Sequence, residues 1–153
     1  MELKRVQISE KTKLYSLMQK YLHELTAYYP MEMDGNGDYA YQYLDLYFTE
    51  PERDAYFFIE GRETVGFCLI NRHSVTQEQP DNCVAEFTVF PAYRNRGKGE
   101  AAFALLKKER KGSWQLKFSE NNLAAAAFWR KIGRNYHGRE QMLPDGETVL
   151  SFE

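Results

Sequence analysis

Cysteine is scarce in this chain. Only Cys68 and Cys83 are present among 153 residues, and no C-x-x-C pair or Cys/His cluster occurs. That pattern excludes a disulfide framework and supplies no ligand set for zinc, so no metal is expected. Both thiols read as small buried hydrophobes. Long apolar runs are missing as well: none approaches the roughly 20 residues that a membrane-spanning helix needs. No membrane partner is therefore expected. The opening Met1-Glu2-Leu3-Lys4-Arg5 lacks an apolar signal segment, so a cytoplasmic location is expected. An excess of one charge is absent too. Twenty Lys and Arg stand against 22 Asp and Glu, a net charge of −2, which gives no general pull toward nucleic acid. No internal repeat and no Walker sequence G-x-x-x-x-G-K-[ST] is found.

Aromatic residues, in contrast, are abundant at 15%. Many fall before Phe58, and the stretch from Tyr29 to Tyr47 is both aromatic and acidic, with Glu32, Asp34 and Asp38. Such residues serve packing or line a ligand pocket.

Periodicity gives the elements. Leu3 to Ile8 alternates as a strand, and Ser9 is a suitable N-cap. Leu14, Leu17, Met18, Tyr21, Leu22, Leu25 and Tyr28 form the apolar stripe of a helix that ends before Pro30. A second helix is predicted over Asp38 to Phe48. Ala55 to Glu60 and Thr64 to His73 read as a hairpin turning at Gly61-Arg62. Cys83 to Phe90 is a further strand. Helical spacing returns over Gly99 to Lys111, Trp114 to Phe118 alternates, and Asn122 to Ile132 is an alanine-rich helix. The remainder, turning at Leu143 to Glu147, reads as a closing hairpin. The order is β-α-α-β-β-β-α-β-α-β-β over 1–153, expected to form one domain. It is a mixed α/β pattern with one parallel crossover among antiparallel strands.

The densest cluster of chemistry lies at Arg94-Asn95-Arg96-Gly97-Lys98-Gly99, between a strand and a helix. Glycine there lets a ligand approach the backbone. The first helical turn offers unpaired N–H groups and partial positive charge, which suit a phosphate. Arg94, Arg96 and Lys98 add cations. A structural turn is the competing reading. Gly97, Gly99 and Ala102 also satisfy the dinucleotide fingerprint G-x-G-x-x-G/A. Context argues against a nicotinamide site: six residues from Pro91 to Arg96 separate strand from glycine, and the chain has room for one crossover only.

Read together, these residues resemble the GNAT superfamily of N-acetyltransferases. Its first motif runs strand, V-x-P, [QR]-x-x-G-x-[GA], helix, and here Val89-Phe90-Pro91 precedes Arg94-Asn95-Arg96-Gly97-Lys98-Gly99. A second motif, N-x-x-A-x-x-x-[YW], is matched by Asn122, Ala125 and Trp129, with Gly133 following. The resemblance covers nearly the whole chain. It implies an α+β fold: a mixed, mostly antiparallel sheet, a central βαβ crossover, and strands four and five splayed apart. It implies acetyl-CoA as co-substrate, with the pyrophosphate on backbone amides around Arg94, Arg96, Gly97, Lys98 and Gly99. Main-chain groups near Val89 and Pro91 would pair with the pantetheine arm. Asn122 would contact that arm or the acetyl end, with Trp129 beside the cofactor. Lys98, Lys107 and Arg130 are candidates for the adenosine 3′-phosphate.

Two departures matter. Many members carry tyrosine at the position of Trp129, where its phenol protonates the leaving thiolate; an indole donates only N–H and cannot replace it. Arg134 follows Gly133 in place of an aromatic, so a shorter or shifted last strand is expected. For the base that accepts the amine proton, Glu86 is the leading candidate and His73 and His137 are alternatives; a structural hydrogen bond competes. Simple alternation puts Glu86, Thr88 and Val84 on one face, unless a bulge intervenes. His23 is expected to be solvated. The reading is an N-acetyltransferase acting directly on a primary amine of a small molecule or peptide, with a catalytically silent CoA-binding module as the alternative. The acidic stretch favours a cationic acceptor, and a homodimer is left open.

Overall fold

The computed structural model describes residues 1–153. Seven strands form one sheet in the order β1-β2-β3-β4-β5-β7-β6. They are β1 (Glu2–Arg5), β2 (Asp54–Glu60), β3 (Glu63–Asn71), β4 (Asn82–Val89), β5 (Trp114–Phe118), β6 (Arg139–Met142) and β7 (Thr148–Phe152). Three helices accompany them: α1 (Lys11–Leu25), α2 (Lys98–Glu109) and α3 (Leu123–Asn135). Only β4 and β5 run parallel, joined by α2. This is the mixed, mostly antiparallel α/β fold expected, with its single crossover.

Alternation along β2 and β3 divides the interior in two. Phe58, Cys68 and Ile70 join Phe103 and Leu106 of α2 and Trp129 and Ile132 of α3 in a sixteen-residue core. Phe57, Phe67 and Leu69 point the other way, to Leu14 and Met18 of α1 and to Leu44 and Tyr47. Side chains of successive strand residues leave opposite faces, so one hydrophobic hairpin feeds both layers. Fully burying a ring such as Phe103 contributes about 2–3 kcal/mol.

Two local expectations are corrected. Ser9 does not cap α1; it lies in a 3₁₀ turn, Ile8–Glu10, where the Gln7 N–H donates to Glu10 Oε1 at 3.2 Å. The helix predicted over Asp38 to Phe48 is reduced to a 3₁₀ turn at Leu44–Phe48. The cause is Gln19 on α1. Its amide donates to the Tyr39 carbonyl at 2.8 Å, and its oxygen accepts the Tyr39 N–H at 2.7 Å. The first bond takes the Tyr39 carbonyl, which a helix over Asp38 to Phe48 would have offered to the Tyr43 N–H. Beyond Gly133, α3 continues to Asn135, and β6 is only four residues long.

Candidate functional site

The site begins where β4 and β5 part. They pair at Asn82–Trp114, Cys83–Gln115 and Val84–Leu116, and no further. At the next residue β4 also breaks register with β3: Ile70 pairs with Val84, but Leu69 pairs with Glu86, leaving Ala85 as an extra residue. This bulge bends the strand away from β5. It also settles which way the side chains point. Val84 packs with Phe87 against the α2–α3 core, while Ala85 packs toward the α1 core. Plain alternation would have put Val84 and Glu86 together, and the bulge separates them.

Past the fork, the backbone of β4 is open on one edge. The Phe90 N–H donates to Val65 of β3 at 2.8 Å. Antiparallel pairing alternates, so Thr88 and Glu86 also turn their main chain to β3, while Phe87 and Val89 turn theirs into the gap. Pro91 opens a 3₁₀ turn, and its carbonyl accepts the Arg94 N–H at 3.3 Å. From Asn95 to Glu100 no backbone N–H has a protein acceptor. Six consecutive donors thus meet the N-terminus of α2. Gly97 takes a left-handed φ of 70°, and a Cβ added there would touch nothing within 4 Å. Its openness toward solvent suits close approach by an anion. Gly99 has a different reason: a Cβ there would come within 2.8 Å of the Phe128 ring, so it is needed where α2 packs on α3.

The cations are less available than the sequence suggests. Arg94 is already engaged, its Nε donating to the Val89 carbonyl at 2.7 Å and its guanidinium to both oxygens of Glu24 at 2.6 and 3.0 Å. Lys98 pairs with Glu60. Arg96 alone of the three makes no ion pair. Among the candidates for a 3′-phosphate, Arg130 is held by Glu120 and Glu140, and Lys107 lies over the rings of Trp114, Tyr136 and Phe152.

On the α1 side of the fork stands Glu86. Tyr21 donates to its Oε2 at 2.5 Å and Tyr41 to its Oε1 at 3.3 Å. The carboxyl keeps a narrow solvent exposure, yet protein atoms crowd it on nearly all sides. That burial raises it from 4.5 to about 7; the tyrosine hydrogen bonds and the positive charge of Lys117 pull the other way. Burial next to this carboxylate raises both phenols as well, so they stay protonated donors. Lys117, on β5, is 2.9 Å from Glu147 in the turn between β6 and β7, and Tyr29 donates to the same carboxylate.

The chain matches the acetyltransferase (GNAT) family over residues 14–133. It belongs to that family. No curated protein sequence matches it significantly. Solved structures do, over nearly the whole chain. An acetyltransferase from Thermus thermophilus is 18% identical, with a TM-score of 0.73, covering 98% of this chain and 94% of that one. The aminoglycoside acetyltransferase AAC(6')-Ib, in complex with coenzyme A, is 13% identical with a TM-score of 0.68, covering 97% and 92%. The PaiA N-acetyltransferase of Thermoplasma acidophilum, also with coenzyme A, is 13% identical with a TM-score of 0.62, covering 99% and 98%. At such identities the likeness concerns the fold.

Against this GNAT frame the sequence candidates separate. Glu86, Val89, Pro91 and the loop from Arg94 to Gly99 line one continuous edge. Asn122 caps α3, its Oδ1 accepting the Ala125 N–H at 3.1 Å, which leaves its amide NH₂ to donate elsewhere. Trp129 is a packing residue, 7% exposed, against Phe87, Phe103 and Phe128. His73 Nε2 accepts from Arg53 Nη2 at 3.0 Å, and His137 is exposed in a turn with φ of 55°. Neither is bonded to Glu86. His23, expected to be solvated, bonds the Tyr39 hydroxyl at 2.7 Å. Glu32 is exposed, and Asp34 spends its Oδ1 on the N–H groups of Asn36 and Asp38, shaping its own loop. Sequence reasoning reached Tyr41 only as part of the aromatic stretch from Tyr29 to Tyr47, and did not connect Tyr21, Lys117 or Glu147 with the site. Tyr21 did carry a signal: a phenol on an apolar helix stripe needs a buried partner.

Proposed function

We propose that the chain, acting as one domain, is an acetyl-CoA-dependent N-acetyltransferase that transfers the acetyl group directly to a primary amine. The observation that carries this reading is the continuity of one edge: six unpartnered amides, then the free main chain of Val89 and Phe87, then the raised carboxyl of Glu86. The amides suit a pyrophosphate, and the free edge suits an extended arm with amide groups of its own. From Val89 to Ala85 that edge spans about 13 Å at ~3.3 Å per residue, room for an arm rather than a bare phosphate.

Glu86 then acts as the base. As the amine nitrogen bonds the acetyl carbon, its proton passes to the Glu86 carboxylate, and the carbon–sulfur bond breaks with the electron pair on sulfur. A base titrating near neutrality can be ionised for this step and still hold a proton afterwards. Tyr21 and Tyr41 orient the carboxylate. The acceptor meets it from the side of α1 and the aromatic segment 29–47.

Two measurements test the reading together. Acetyl-CoA at 100 times its Kd should stabilise the fold by about 2.7 kcal/mol. Pooled primary amines should release free thiol, and Glu86→Gln should abolish most of that release. No stabilisation at millimolar acetyl-CoA sinks the proposal. Stabilisation without thiol release from any amine favours a silent CoA-binding module, which the buried indole at Trp129, in place of a phenol, already motivates.

A further inference from the structure

Transfer leaves a charged sulfur, and the usual phenol on α3 is replaced by an indole locked in the core. The fork itself offers another group. Val84–Leu116 is the last bridge between β4 and β5. Leu116 and Phe118 point into the α2–α3 core, so Lys117 between them points to the opposite face. Glu86 points to that face from β4. Glu86 and Lys117 are thus polar side chains on the two sides of one opening, the first beyond its apex. The ammonium is near enough for its charge to act on the Glu86 carboxyl. It is also paired: Glu147, only 12% exposed in its side chain, lies 2.9 Å from the ammonium. An ammonium has three N–H donors and can stay paired with Glu147 while offering another to the opening.

We propose that Lys117 protonates the departing thiolate. This rests on the acetyltransferase reading above, which lays the arm along β4 with its sulfur at the apex. As the carbon–sulfur bond breaks, an Nζ–H proton moves to sulfur, and Lys117 becomes a neutral amine. Glu86 meanwhile has gained the proton lost by the acceptor nitrogen. Its return to Lys117, directly or through water, restores both groups, and free thiol and amide are the only net products. The charged and titratable groups around Lys117 are Glu86 with its partners Tyr21 and Tyr41 on one side, and Glu147 with its partner Tyr29 on the other.

The test needs no known acceptor. CoA labelled with ¹³C at the carbon bearing sulfur is bound to the full chain, and its NMR shift is followed against pH. In the parent the bound thiol should ionise at lower pH than free CoA. Lys117→Met should move the midpoint back by one pH unit or more. Lys117→Arg keeps a cation and its pairing with Glu147, so the lowered midpoint should stay. Acetyl-CoA cleavage, with water or any amine as acceptor, should nevertheless fall by about 10²-fold in the Arg variant, which cannot give up a proton at neutral pH. Equal midpoints in parent and Lys117→Met overturn the proposal, as does full cleavage by Lys117→Arg. Failure of CoA to bind the parent overturns the acetyltransferase reading and this one with it. Binding with equal midpoints overturns this one alone.

Discussion

Replacing Glu86 by glutamine should make the protein more stable and less active, and the gain in stability should depend on pH. The folded protein holds this carboxyl at about 7 rather than 4.5 because burial disfavours the charge. Each tenfold change in proton affinity is 1.36 kcal/mol, so the ionised group costs the fold about 3 kcal/mol at pH 8. The folded chain binds the proton more tightly than the unfolded chain. Its contribution is therefore fully present below pH 4.5 and is lost as pH rises through about 7. Glutamine is neutral throughout; its oxygen accepts from one phenol, and its NH₂ can donate to the hydroxyl oxygen of the other. Between pH 5 and pH 8 the advantage of Glu86→Gln over the parent should grow by about 2–3 kcal/mol. At ~2–4 °C per kcal/mol for a chain of this size, that is about 5–10 °C in Tm. Calorimetric melts of both proteins at half-unit pH steps measure it. A Tm difference that is the same at pH 5 and pH 8 refutes the raised carboxyl and removes the main support for Glu86 as a base. In the parent, thiol release should rise with pH through about 7, and the variant should lose that limb.

Three further outcomes are expected. Gly97→Ala and Gly99→Ala should each cost about 1–2 kcal/mol by thermal melt, the first from its left-handed φ and the second from overpacking against Phe128. Only Gly97→Ala should also weaken acetyl-CoA binding in a calorimetric titration, because the methyl of Gly99→Ala points into α3 and away from the loop amides. Trp129→Phe should lower stability by about 1–2 kcal/mol while leaving turnover per folded molecule unchanged; a large loss of turnover would show that the indole contacts the reacting groups. Glu24→Gln should change Tm by less than about 3 °C, since its ion pair with Arg94 is largely exposed; a larger drop would mean that this pair braces the β4 edge.

Much of the fold was legible because its signals are local. The apolar stripe of α1, the Gly61 turn and the five-residue alternation of β5 depend only on neighbours in sequence. The segment 38–48 was not, since the deciding contact is Gln19, twenty residues away from Tyr39. Of the site, the loop from Arg94 to Gly99 was readable as a donor-rich turn, but the destinations of its cations were not. Arg94 and Lys98 are drawn to Glu24 and Glu60, which lie 70 and 38 residues distant. Glu86 was identifiable by type and position; its face depended on a bulge that composition does not reveal. Lys117 and Glu147 meet only through the β5–β7 pairing, which no short pattern encodes.

The bulge at Ala85 has a bearing on how this protein can vary. The slot between β4 and β5 exists because β4 carries one more residue than β3 needs opposite it. An opening made by surplus chain length is insensitive to side-chain identity. Substitutions from Ala85 to Val89 can change what the slot holds without closing it, so ligand preference can drift while the architecture persists. Shortening is a different matter. Deleting Ala85 would let Val84 and Glu86 follow one another in unbroken register with Ile70 and Leu69, straightening β4 toward β5. The shortened chain would gain ladder hydrogen bonds and lose the gap in which the proposed arm would lie. For this strand, residue count is a heritable character separate from residue type.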